Sequence, residues 1–251
     1  MKSTNTKQGV RVRGAVSRSL LLAAAVICLG AAGAIQAANP GVLPPHSSPY
    51  GKSYAEWSAD WWQWLLEQPV VGGPTDPNFD VRAGQTGNVW FLASALQQPA
   101  AEIPSGTALF IPLMNVECSS LEPPESGFHG DTEAEQTECA KYWADHITNL
   151  VLIVDGKAME ITDDYRAVSP QFAFDAPTPW VFGDTGGAGT AVGDGYYVML
   201  APLSVGGHTI TIRATLHFAA GELGPDPVDL LQTDLTWHIT VVPAGRYADL
   251  E

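Results

Sequence analysis

His208-Thr209-Ile210-Thr211-Ile212-Arg213-Ala214-Thr215-Leu216-His217 changes from polar to apolar at nearly every step. Successive side chains of an extended strand point to opposite faces, so Ile210, Ile212, Ala214 and Leu216 share one face and the threonines with Arg213 the other. The run from Asp234 to Val242 repeats the pattern, with Leu235, Trp237, Ile239 and Val241 on one side. Two such runs predict an antiparallel pair with one buried and one wet face.

Working outward, further β signals surround this pair. Leu150 to Val154 enters Asp155-Gly156, a two-residue hairpin turn, and Lys157 to Ile161 leads out. Asn88 to Ser94, Thr107 to Cys118, Gln171 to Asp175 and Tyr196 to Leu203 read as strands. Pro112 removes one ladder donor and predicts an edge or a bulge there. Gly183 to Gly195 reads as a glycine-rich loop. The predicted fold class is mainly β, an antiparallel β-sandwich with an N-terminal Trp-rich amphipathic helix and a second short helix. Residues 39–251 are expected to form a single β-rich domain, since no low-complexity linker divides them.

The Trp-rich helix is read from Ser53 to Glu67, which holds Trp57, Trp61, Trp62 and Trp64. Ser53 and Glu56 have capping-box spacing, and Pro69 ends the run. At 100° per residue the four indoles, Tyr54, Leu65 and Leu66 sweep one arc, while Glu56, Asp60, Gln63 and Glu67 fill the remaining wedge. Each indole can bury roughly 150–250 Å², so Trp57 and Trp61 are expected in the core. The helix is expected to cover an open end or an edge of the sandwich. The acids of its polar wedge argue against a helix lying on a membrane, which calls for Lys or Arg. Asp131 to Ile147 reads as the second helix, capped by Thr132 and Glu135.

Lys2, Lys7, Arg11, Arg13 and Arg18 precede the apolar run Leu20 to Ala34, and small residues follow at Ala37-Ala38. This order predicts a signal peptide over residues 1–38 and a periplasmic or secreted product. Ile27 stands before Cys28 where a lipoprotein signal needs a small residue, so Cys28 is expected to leave with the leader. Losing five of the twelve basic residues and none of the 27 acids leaves seven against 27, a formal charge of −20. Such a surface repels nucleic acid and anionic lipid, so neither is an expected partner. Cys118 and Cys139 then remain as the two thiols of an oxidising compartment, and a disulfide is the expected outcome.

Tyr50-Gly51-Lys52-Ser53-Tyr54-Ala55-Glu56-Trp57-Ser58-Ala59-Asp60-Trp61-Trp62-Gln63-Trp64, Gly84-Gln85-Thr86-Gly87-Asn88-Val89-Trp90-Phe91-Leu92 and Ile103 to Pro112 with Asn115 to Cys118 resemble a family of uncharacterised secreted bacterial proteins. The resemblance spans roughly residues 50 to 120. It implies export and no particular activity. The family pattern has further cysteines just before the second and third motifs, where this chain carries residues such as Val81 and Glu102, so the resemblance implies no second disulfide here.

Chemical signatures are sparse. No G-x-S-x-G, H-E-x-x-H or phosphate-loop motif occurs, and the six histidines lack ligand spacing on one element. No catalytic residue, metal ligand or cofactor is therefore assigned. Calcium is the one ion with candidate donors, at Asp163, Asp164, Asp184 and Asp194. Glu117, Asp145 and His146 form a candidate polar cluster if the disulfide draws their segments together. Trp180, Tyr196 and Tyr197, beside the glycine-rich stretch, are candidate stacking residues for a sugar. The expected role is a non-catalytic binding or structural module of the envelope or extracellular space, with a glycan or an envelope protein as partner. A glycan-binding protein or a hydrolase of an extracellular substrate is the alternative.

Overall fold

The computed structural model describes residues 41–93 and 101–247, so the expected signal peptide lies outside the described residues. They belong to one compact unit spanning Ala38–Glu251. The elements in order are helix α1 (Tyr54–Leu66), strands β1 (Val89–Phe91), β2 (Ala101–Pro104) and β3 (Ala108–Ser119), helix α2 (Glu133–Ala144), and strands β4 (Ile147–Val154) and β5 (Lys157–Met159). There follow β6 (Arg166–Val168), β7 (Phe172–Ala176), β8 (Gly187–Leu200), β9 (Gly206–Phe218), β10 (Val228–Val242) and the one-turn helix α3 (Ala244–Tyr247).

The strands form two packed five-stranded sheets. The first has the order β1-β3-β8-β6, with β7 also on β8, and the second runs β2-β10-β9-β4-β5. The alternating strands pair antiparallel with Trp237 opposite Ile210 and Leu235 opposite Ile212. Ile210, Ile212, Trp237 and Ile239 are buried as their period requires, while Leu235 is half-buried. Asp155 and Gly156 both have positive φ, 50° and 76°, the backbone that a tight twisted hairpin demands.

Three features depart from the sequence reading. Both sheets are mixed, because β1 runs parallel to β3 and β2 parallel to β10. The chain leaves β1, crosses to the second sheet for β2 and returns, which supplies the long connection that parallel neighbours need. The second departure is at the glycine-rich stretch, where β8 begins at Gly187 instead of after the glycines. Gly189, Gly193 and Gly195 are strand positions whose side chains would collide with Phe174, Trp62 and Asn115, so glycine serves close approach there and not flexibility. The third is the seat of α1, which lies on a face of the first sheet against β3, β6, β7 and β8.

Local chemistry explains that seat. Ser53 Oγ accepts from Glu56 N–H at 3.3 Å and the Glu56 carboxylate accepts from Ser53 N–H at 2.7 Å, closing the capping box. Every indole N–H of the helix has an acceptor, as buried tryptophan requires. Trp57 donates to Pro49 O (2.9 Å), Trp61 to Leu92 O (2.8 Å), Trp62 to Tyr197 Oη (3.0 Å) and Trp64 to Ala83 O (3.0 Å). Trp61, Trp62 and Trp64 are buried. Trp57 is only half-buried, which corrects the expectation that it is covered like Trp61.

The helix α2 is capped by Thr132 and Glu135 as expected and is tied to β3 by the Cys118–Cys139 disulfide, with Cα atoms 6.1 Å apart. The register of β3 against β8 shifts between Pro112 and Met114. This bulge beside the proline changes which residues face the helix: Phe110 before it and Asn115 after it both meet Tyr197.

Candidate ligand-binding groove

The candidates from sequence do not form one site. Trp180 (3% exposed), Tyr196 (7%) and Tyr197 (0%) are interior residues, so they do not present the open stacking face expected of them. Trp180 stacks on Phe174, Tyr196 Oη donates to Asp163 at 3.2 Å, and Tyr197 lies parallel to Phe110. The cause is the β8 strand itself, whose residues 191–200 are all buried beneath helices and neighbouring strands.

Glu117, Asp145 and His146 also separate. Neighbouring strand residues face opposite ways; Cys118 is bonded to α2, so Glu117 points to the other face, opposite Gly193 and under Trp62. Neither oxygen of the buried Glu117 carboxyl has a hydrogen-bond partner among the described residues. Burial, and then the nearby Glu122 carboxylate, push it well above the usual carboxylate range, with the Ser119 hydroxyl weighing the other way. Asp145 instead joins Arg166, whose guanidinium donates to Asp145 (2.6 Å) and bidentately to Asp194 (2.8 and 2.7 Å). His146 stacks on Phe218 and faces Glu222 at 3.3 Å.

The calcium donors are dispersed in the same manner. Asp194 is committed to Arg166, Asp163 to Tyr196, and Asp164 faces His46 at 3.5 Å. Among the described residues no group of three His, Cys, Asp or Glu is placed to hold a metal.

A different surface gathers binding groups. The loop from Asp80 to Asn88 folds back on α1: Trp64 donates to Ala83 O, and Gly84 approaches the Trp64 ring so closely that a Cβ there would collide with it. Gln85 fixes the loop to β1 through two 2.9 Å bonds, accepting from Phe91 N–H and donating to Phe91 O. On either side of the loop lies an open cleft. One, of about 520 Å³, is bounded by Lys52, Trp57, Gln63, Gln68, Asn88 and Phe91. The other, of about 440 Å³, is bounded by Arg82, Trp90, Pro104 and Thr107. Both include Thr86 and Gly87, so they adjoin. Each lies within the usual volume range of about 300–1,000 Å³ for ligand sites.

Both cations here are paired with carboxylates. Lys52 bonds Asp60, and Arg82 grips Asp80 with two bonds of 3.1 and 3.2 Å that hold its carboxyl below the usual range. Glu67 accepts from Asp175 N–H at 3.4 Å. By contrast, the side chains of Gln68, Thr86, Asn88 and Thr107 make no hydrogen bond among the described residues. Trp57 and Phe91 meet edge to face at 6.2 Å, both half-buried, and the Lys52 ammonium lies 5.3 Å over the Trp57 ring.

The sequence reading places Trp57 in the core, which hides this groove. The signal was present in the helical wheel: Trp57 and Trp64 stand at the end of the apolar arc that borders Asp60, where an indole can be half covered. No protein-family model, no curated protein and no solved structure matches the chain.

Proposed function

We propose that this protein is an exported, non-catalytic binding module of the bacterial envelope or extracellular space, and that the groove beside α1 takes a glycan. One observation carries this reading. Four neutral side chains with no hydrogen-bond partner among the described residues, Gln68, Thr86, Asn88 and Thr107, lie along a groove walled by the half-exposed rings of Trp57 and Phe91. Aromatic walls with a few convergent polar groups are the usual makeup of a small-molecule site. Binding is favoured over hydrolysis because glycosidases commonly use two carboxyl groups, one kept protonated as the acid. Of the three carboxylates that border the clefts, Asp60 and Asp80 are each held by a cation and Asp80 is shifted the opposite way, which leaves Glu67 without a second free carboxyl to work with.

The test is a glycan array probed with the mature protein and with Trp57→Ala, alongside far-UV circular dichroism of both. Retention by the parent and loss of it in a folded Trp57→Ala variant supports the reading. Retention of no glycan by the folded parent, or unchanged retention by the variant, rejects it.

A further inference from the structure

Resting on that reading, we infer that the ligand is an uncharged, extended oligosaccharide that crosses from one cleft to the other over Thr86 and Gly87. Three observations converge on it.

The first is continuity. The two clefts adjoin at Thr86 and Gly87, both exposed, and Gly87 carries no side chain to obstruct a chain passing over it. A Cβ added at Gly87 would meet nothing within 4 Å, so the space above it is open. A ligand confined to one cleft would leave Thr107 or Gln68 unused, since they stand on opposite sides of the loop.

The second is charge. Both cations of the groove are neutralised, Lys52 by Asp60 and Arg82 by Asp80, and the chain as a whole carries a formal charge of −15. A uronate or sulfated polymer would have to displace a carboxylate from its cation and approach through a repulsive field. A neutral sugar meets no such barrier, and its hydroxyls can use the amides of Gln68 and Asn88 and the hydroxyls of Thr86 and Thr107, which both donate and accept.

The third is the aromatic wall. Apolar faces of neutral pyranose rings suit indole and phenyl surfaces, and the half-buried rings of Trp57 and Phe91 both border the first cleft, with the Lys52 ammonium 5.3 Å over one face of the indole.

The experiment is calorimetric titration of the mature protein with neutral 1,4-linked glucose oligomers of both anomers, two to six units long, and with galacturonate oligomers of equal length. Affinity for a neutral series is expected to rise with length, and galacturonate oligomers are expected to bind at least tenfold more weakly. Thr107→Val is expected to weaken the neutral hexamer about tenfold, the equivalent of about 1.4 kcal/mol and of one lost hydrogen bond. Its effect should shrink as the ligand shortens. Tighter binding of galacturonate, or a neutral affinity that does not change with length, overturns this inference while leaving a glycan-binding groove intact. Failure of every array glycan and every oligomer to bind removes the glycan reading together with this one.

Discussion

The indole of Trp62 fills the space that a side chain at residue 193 would need: a Cβ built on Gly193 would overlap the Trp62 ring. This contact fixes how closely α1 approaches β8. Gly193→Ala should therefore destabilise the fold by about 1–3 kcal/mol, the range for an overpacked core. Denaturant melts give the value, and parental stability would show that the helix can retreat without cost.

The four helix tryptophans should divide by role. Trp61 is 1% exposed, so Trp61→Ala should cost about 3–5 kcal/mol through lost contacts and a cavity. Trp57 is half-buried and should cost less, with its main effect on ligand affinity. Equal destabilisation by both variants would place Trp57 in the core and weaken its assignment to the groove.

Glu117 gives a pH dependence of definite sign. Its carboxyl is raised above the ordinary value of 4.5 in the folded state, so across that window the folded protein holds a proton that the unfolded chain has released. Stability contributed by this group is then present below the unfolded value and is lost as pH rises through the folded one. In melts between pH 5 and 8, Glu117→Gln should gain stability relative to the parent as pH increases. Glu117→Leu should gain about 1–3 kcal/mol at neutral pH, because it removes a buried polar group that has no hydrogen-bond partner among the described residues. Parallel pH curves for parent and Gln variant would contradict the assignment.

The Cys118–Cys139 bridge, with its separation of 21 residues, should contribute roughly 3 kcal/mol by restricting the unfolded chain. Paired Ala substitutions should lower the denaturant midpoint accordingly. The loop between β3 and α2 should become the first site of proteolytic cleavage, because Gly127 O and the Trp143 indole N–H (2.9 Å) then hold it with less help.

Much of the fold could be read from local chemistry. The period-two runs of β9 and β10, the Asp155-Gly156 turn and both capping boxes are patterns that neighbouring residues decide among themselves. What escaped depended on distant partners. Gly189, Gly193 and Gly195 look like a loop until Trp62 and Phe174 are known to need their missing side chains. The direction of Glu117 follows from the bulge after Pro112 and from the bond that turns Cys118 toward α2. The groove escaped for a similar reason, since Gln68 and Thr107 lie far apart in sequence and are brought to one surface by the Asp80–Asn88 loop.

The parallel pairing of β2 with β10 also sets an order of events in the growing chain. Ala101 lies beside Ile239, so one border of the second sheet waits until the chain has been made as far as Ile239. Contacts between such remote residues close slowly, because the loop entropy must be overcome before the pairing rewards it. Until then β9 lacks β10, and Ile210 and Ile212 lack the neighbours Trp237 and Leu235 that pair with them. A ribosome-bound chain truncated before Val228 should accordingly remain sensitive to protease, and one extended past Val242 should become resistant.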